Sequence, residues 1–186
     1  MYGCKTIAVR IFHGDNVANT YSQIYLHFVF AEKHRRALIP RQHKDELHRF
    51  MASLIEARKC KPLAIHCMPD HAHVFVGFHP TVSIPDFVKE IKVQSTTFLR
   101  SKGWVPQTFQ WQEGYGVFSY GHSQIARVCN YVHNQEEHHR RKTFQEEYKL
   151  LLEKFNVAYD LRYIFDQIGN PANLSTSTTR NNKSAS

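Results

Sequence analysis

The chain of 186 residues, 42% hydrophobic and 13% aromatic, suits one domain with a full-sized core. It holds no apolar run approaching about 18 residues, which excludes a helical membrane span. Lys and Arg outnumber Asp and Glu by 24 to 16, and the +8 balance favours a polyanionic partner without identifying one.

Taken in chain order, Met1 to Val17 shows no clear period, and the patterned region begins near Asn19. Residues 1–18 are therefore expected to be a leader outside the fold, with Val17 marking the native start. The leader lacks the order of charged, apolar and small residues that marks a secretory signal. Thr20 to Ala31 alternates as a strand, with Tyr21, Gln23, Tyr25, His27 and Val29 on one face and Ile24, Leu26, Phe28 and Phe30 on the other. Ile39-Pro40 opens a helix to about Lys59, in which Leu47, Phe50, Met51, Leu54 and Ile55 recur at helical spacing. Lys61 to Met68 reads as a second strand, Pro69-Asp70 as a tight turn and His71 to Phe78 as a third strand. A second helix starts at Ser83 or Pro85, carries Phe87, Ile91, Phe98 and Leu99, and stops at Gly103. A fourth strand lies within Thr108 to Tyr120, interrupted at Gly114 and Gly116. A helix from about His122 to His139 and a last one from Phe144 to Phe155 complete a domain expected to span residues 19–169. The polar run from Asn170 to Ser186 has too little apolar surface to offset its ordering entropy and is expected to be a disordered tail.

The order strand, helix, strand, strand, helix, strand predicts an α+β fold of the split βαβ, ferredoxin-like (RRM-like) kind. In it, an antiparallel four-stranded sheet carries two helices on one face and leaves the other open, with a tyrosine-bearing helix added at the C-terminal side. The short Pro69-Asp70 link makes the second and third strands an edge hairpin.

Two segments carry chemistry. In His66-Cys67-Met68-Pro69-Asp70-His71-Ala72-His73-Val74, strand alternation points His71 and His73 the same way and Ala72 and Val74 the other. Two imidazoles side by side can hold one metal ion, and the motif by itself equally allows plain packing of buried histidines. In Cys129-Asn130-Tyr131-Val132-His133-Asn134-Gln135, Tyr131 and Gln135 are four apart and share a helix face, separated by about 6 Å of rise. Gln135 offers a carbonyl oxygen as third ligand and Tyr131 a phenolic oxygen beside it; alone, the segment also reads as a surface helix with a tyrosine on its apolar seam. Cys4, Cys60, Cys67 and Cys129 are scattered rather than framed as a disulfide set, which fits reduced thiols in a cytoplasm. A zinc site from Cys60, His66, Cys67 and His71 has irregular spacing.

Together the two segments resemble the single-tyrosine transposases of the insertion-sequence 200/605 family, members of the HUH endonuclease superfamily. The matching parts are Thr20-Tyr21, His27-Phe28-Val29-Phe30, Met68-Pro69-Asp70-His71-Ala72-His73, Trp111-Gln112-Glu113-Gly114-Tyr115-Gly116, and Tyr131 through Gln135 to His139. The resemblance implies a bacterial or archaeal, cytoplasmic, metal-dependent strand transferase acting on single-stranded DNA with hairpin ends. His71, His73 and Gln135 would bind Mg²⁺ or Mn²⁺, and Tyr131 would attack the scissile phosphate to give a 5′-phosphotyrosyl link and a free 3′-OH. It implies a homodimer in which Tyr131 serves its own subunit or the other, and it makes Lys33, Arg35, Arg36, Lys89, Lys92, Arg100 and Lys102 candidates for hairpin recognition. His138 and the neighbouring His139-Arg140-Arg141-Lys142 read as facing DNA rather than as ligands.

Other readings fit less well. A rolling-circle initiator commonly carries Tyr-x-x-Lys, and the position three after Tyr131 is Asn134. A histidine-triad hydrolase needs a third alternating histidine where Phe75 stands. A domesticated relative, or a non-enzymatic hairpin DNA- or RNA-binding module of the same fold, stays open. Deleting residues 1–16 is expected to leave folding and activity intact, and loss of folded protein on truncation overturns the leader boundary.

Overall fold

The computed structural model describes residues 21–160; the expected leader, start site and C-terminal tail lie outside the described residues. Its elements are β1 (Tyr25–Ala31), α1 (Lys44–Ala57), β2 (Lys61–Cys67), β3 (His71–Gly77), α2 (Ile84–Ser101), β4 (Gly116–Tyr120), α3 (Ile125–His133), α4 (Gln135–His138) and α5 (Phe144–Lys154). The four strands form one sheet in the order β2-β3-β1-β4, every neighbouring pair antiparallel. β2 and β3 are indeed an edge hairpin, closed by Met68 N–H donating to His71 O at 2.8 Å. Among the described residues no helix is long and apolar enough to cross a membrane.

One face of the sheet presents Leu26, Phe28, Phe30, Ala72, Val74 and Val76 to α1 and α2. α1 covers it with Leu47, Met51 and Ile55, spaced one helical turn apart, and α2 with Phe87, Val88, Ile91 and Leu99. The first helix begins at Lys44 rather than Pro40, because Pro40 is extended (ψ 130°) and residues Arg41–His43 make a single 3₁₀ turn. α2 ends before Gly103, whose φ of 67° places it in the left-handed region that glycine occupies without strain.

The opposite face is not open, contrary to the sequence expectation. Its alternate residues Val29, Ala31, Phe75, Phe118 and Tyr120 are as apolar as those of the first face. A face of this composition must be covered: burying a single Val, Leu or Phe side chain contributes roughly 1.5–3 kcal/mol. α3 supplies Val128, Cys129 and Val132, and α5 supplies Phe144, Tyr148, Leu151 and Leu152. Thr143 caps α5, its hydroxyl accepting from Glu146 N–H while Glu146 Oε2 accepts from Thr143 N–H at 2.8 Å.

The helix expected to run unbroken to His139 is interrupted at Asn134 (φ −94°, ψ 22°), and α4 starts anew at Gln135. The break leaves His133 and Asn134 exposed and buries Gln135 completely.

α5 docks where β4 has no side chain. A Cβ on Gly116 would stand 2.8 Å from Tyr148 Oη and 2.9 Å from its ring, so this glycine sets the distance of α5 from the sheet. Gly116→Ala is expected to cost about 1–3 kcal/mol through overpacking, read as a lowered urea midpoint. An unchanged midpoint shows that Tyr148 does not pack on β4.

Candidate active site

The residues singled out in the sequence converge on the sheet face covered by α3 and α5. Strand pairing sets Val29 of β1 opposite His73 of β3 and Ala31 opposite His71, so both imidazoles lie at the start of a strand paired on both sides. Both are buried, at 1% exposure for His71 and 0% for His73. Each has a second partner through the nitrogen turned away from the cavity. His71 Nδ1 lies 2.7 Å from Asp70 Oδ1, and His73 Nδ1 lies 3.1 Å from Nε2 of the fully buried His27. His27 was visible in the sequence as a strand residue on this face; its partnership with His73 depends on strand register.

Tyr131 projects from α3 toward the same histidines, its ring centroid 6.0 Å from those of both His73 and His27. The Tyr131 hydroxyl donates a short hydrogen bond to Glu147 Oε1, from the first turn of α5. Gln135 Nε2 donates to the same oxygen at 2.9 Å, and its Oε1 is buried without a hydrogen-bond partner.

Glu147 is the residue sequence reasoning missed. Its Oε2 lies 3.6 Å from His73 Nε2 and 3.0 Å from His139 Nε2. His139 is accordingly not turned outward to DNA: its side chain is only 12% exposed, and its ring faces Glu147 and His71. The break at Asn134 re-aims the residues after it, which no helical projection from Tyr131 anticipates. His138 is exposed as expected and lies 5.0 Å, ring to ring, from Tyr131. Arg140 and Arg141 are also exposed, both pairing with Glu137.

The electrostatics follow from burial and this one carboxylate. Burial works to raise the Glu147 carboxyl, but His73, His139 and Tyr131 outweigh it and hold the group far below the ordinary carboxylate range. Burial and the Glu147 charge push the Tyr131 hydroxyl well above its usual value, so as folded it is a protonated phenol. Burial lowers His71 to about 4, against the opposing pull of Asp70, leaving a neutral ring. Neutral imidazoles and an amide oxygen are a donor set suited to a divalent metal, and the unpartnered Nε2 atoms of His71 and His73 and Oε1 of Gln135 are buried polar atoms of the kind such an ion satisfies. The alternative zinc set is not assembled: Cys67 Sγ packs 3.8 Å from Met51 Sδ inside the first core.

Several basic residues expected at a hairpin are committed elsewhere. Lys92 Nζ donates to the carbonyls of Gln112, Glu113 and Gly114 at 2.9, 3.0 and 2.8 Å, and Arg100 donates to Phe109 O at 2.5 Å. Arg35 pairs with Asp70, Arg36 with Glu32 and Lys102 with Glu46. Lys33 and Lys89 have no such side-chain partner among the described residues.

Comparison with known proteins points the same way. The family model described as "Transposase IS200 like" matches residues 20–135. The ISDra2 transposase TnpA of Deinococcus radiodurans is 23% identical over 122 residues, covering 62% of this chain and 86% of that protein. The transposase for insertion sequence element IS200 of Salmonella typhimurium is 25% identical over 127 residues, covering 66% of this chain and 83% of that protein. Among solved structures, one from Deinococcus radiodurans described as that of a transposase aligns with a TM-score of 0.50 and 23% identity, over 66% of this chain and 98% of that one. A REP-associated tyrosine transposase bound to a REP hairpin aligns with a TM-score of 0.50 and 16% identity, over 79% and 93%. These two structural likenesses bear on the fold.

The buried histidines make stability depend on pH. Burial lowers His27, and it lowers His48, His66 and His71 to about 4. In the unfolded chain each takes up its proton near 6.5. Between those values the unfolded state binds more protons, so stability falls on acidification, by up to about 1.4 kcal/mol per pH unit for each group. His139, raised by Glu147 against the effect of burial, acts oppositely: its contribution is present below its unfolded value and is lost as pH rises. The expected result is a net loss of urea-unfolding free energy from about pH 7 to about pH 5. A level profile overturns the neutral burial of the four lowered imidazoles.

Proposed function

The chain belongs to the family of IS200-like transposases, and from that premise we propose that it cleaves and rejoins single-stranded DNA at hairpin-flanked ends, with Tyr131 as nucleophile and His71, His73 and Gln135 as metal ligands. The observation that carries the reading is the Tyr131 hydroxyl hydrogen-bonded to a carboxylate that itself lies against His73, all within one buried cluster. A packed core has no need of a phenol, an amide and two imidazoles converging on one point, since each buried polar group costs about 1–3 kcal/mol when its partners are imperfect.

In this reading the Tyr131 oxygen forms the new bond to phosphorus and its proton passes to Glu147 Oε1, which already accepts it as a hydrogen bond. The bond from phosphorus to the 3′ oxygen breaks and that oxygen takes up a proton from solvent, leaving a 3′-OH and a 5′-phosphotyrosyl link. Mg²⁺ or Mn²⁺, when bound, supplies electrophilic polarisation of the phosphoryl group. His27 and Asp70 keep the two imidazoles oriented, and Gln135 Nε2 fixes the Glu147 carboxylate that receives the proton. A 3′-OH attacking the same phosphorus reverses the step and rejoins strands, with the phenol as leaving group. The phosphodiester energy is kept in the link, so no nucleotide triphosphate enters.

Incubation with single-stranded DNA carrying the hairpin that flanks the gene, with Mn²⁺ present, is expected to give a protein–DNA adduct that survives denaturing electrophoresis. Tyr131→Phe abolishes the adduct while hairpin binding persists. Hairpin binding without any adduct in the parent chain overturns the enzymatic reading in favour of a binding module or a domesticated relative.

A further inference from the structure

His71, His73, His139 and Glu147 each present one ligand atom to a common point, and the four atoms all lie within 4.8 Å of one another. The proton positions on these rings follow from their outer partners. A carboxylate and a backbone carbonyl only accept hydrogen bonds, so His71 Nδ1 donates to Asp70 at 2.7 Å and His139 Nδ1 donates to Lys142 O at 3.1 Å. In its neutral form each ring then carries its lone pair on Nε2, the atom turned into the cluster. His73 matches the pattern, with His27 Nε2 standing 3.1 Å from its Nδ1 to receive a proton. The Nε2 atoms of His71, His73 and His139 and Oε2 of Glu147 are all buried without a hydrogen-bond partner.

His139 Nε2 and Glu147 Oε2 stand 3.0 Å apart, a separation that a proton on the imidazole or a metal ion beside both atoms can bridge. Four mutually facing lone-pair donors are repulsive unless a positive charge lies among them. An outer carboxylate or carbonyl fixing the tautomer of each inward imidazole is the arrangement by which proteins orient histidine ligands.

We infer that His139 and Glu147 join His71, His73 and Gln135 as ligands of one divalent ion, which makes the centre rich in imidazole nitrogen and selects a transition metal over Mg²⁺. The inference rests on the metal-dependent reading above and extends it, since residues 139 and 147 lie beyond the span 20–135 matched by the family model. Imidazole nitrogen suits Zn²⁺ and its transition-metal neighbours, whereas Mg²⁺ demands oxygen ligands and retains water. Among divalent ions at such a site, Zn²⁺ binds more tightly than Mn²⁺. Glu147 then has two separate contacts: Oε2 joins the ion while Oε1 holds the Tyr131 hydroxyl and Gln135.

The test is calorimetric titration of the metal-stripped full chain with Zn²⁺ and, separately, Mg²⁺, together with the visible spectrum of the Co²⁺-loaded protein. Glu147→Gln and His139→Gln are compared with His71→Ala and with the control His79→Ala, and circular dichroism verifies that each variant is folded. The parent is expected to bind Zn²⁺ in preference to Mg²⁺. Glu147→Gln and His139→Gln each weaken Zn²⁺ about tenfold or more and alter the Co²⁺ spectrum, while His79→Ala does neither. Full Zn²⁺ affinity in both variants alongside weakened binding in His71→Ala overturns the inference and leaves the metal-dependent transposase reading standing. Full affinity in His71→Ala as well removes the metal site from both. Preference for Mg²⁺ in the parent overturns the ligand set proposed here.

Discussion

A single buried carboxylate organises this molecule's second half. Isolated in a protein interior, an ionised glutamate costs several kcal/mol, and Glu147 is 93% removed from solvent, at 7% exposure. It is tolerated because four groups from three directions meet it: the Tyr131 hydroxyl from α3, the Gln135 amide from the start of α4, His139 from its end and His73 from the sheet. None of these groups is close to Glu147 unless α5 lies on the sheet. The apolar contacts of Phe144, Tyr148, Leu151 and Leu152 bring it there, and Glu147 sits directly beside Tyr148 in sequence and on the same buried stripe. Hydrophobic docking and polar satisfaction therefore require each other: the helix cannot bury its apolar face without burying this carboxylate, and the carboxylate cannot be buried without its partners.

The same coupling explains why the sheet has two covered faces. Strand alternation puts Phe28, Phe30, Val74 and Val76 under α1 and α2, and the residues between them, Val29, His73 and Phe75, on the other side. The expected open face came from counting helices in a split βαβ unit without weighing the second set of strand residues. Those residues are too apolar to face water, and α3 and α5 supply the matching surface. The correction matters for chemistry, because a covered face removes water from around His71 and His73 and makes every charge placed there count for more.

What was legible in the sequence was whatever depends on local periodicity. His71 and His73 share a face because strands repeat every two residues, and the β2–β3 hairpin follows from a two-residue turn. Tyr131 was identifiable from its spacing to Gln135, although the helix joining them breaks at Asn134; the two meet both at Glu147 and directly, Gln135 Nε2 donating to Tyr131 O at 3.4 Å. Glu147 was not legible, because an acidic residue in the first turn of an amphipathic helix ordinarily faces solvent, and only the docking angle of α5 turns it inward. His139 was misplaced for a related reason: it falls after the break, where helical extrapolation no longer holds. Two of the basic candidates are engaged within the fold itself. Lys92 and Arg100 look like phosphate ligands in a list of charges, yet their nitrogens hold the backbone carbonyls of the segment leading to β4.

The distribution of exposure also decides which side of the cluster faces solvent. His71 and His73 are closed off beneath the sheet's cover, while Tyr131 is half-buried and His138 beside it is exposed. The solvent-facing side of the cluster is therefore the seam between α3 and the α4–α5 connection, where Arg140 and Arg141 stand in water. Movement of α5 away from the sheet would widen the entrance, but it would also withdraw Glu147 from Tyr131 and expose Phe144 and Tyr148. Access and assembly thus oppose each other at one helix. Gly116, whose missing side chain lets Tyr148 sit against β4, fixes the closed end of that balance.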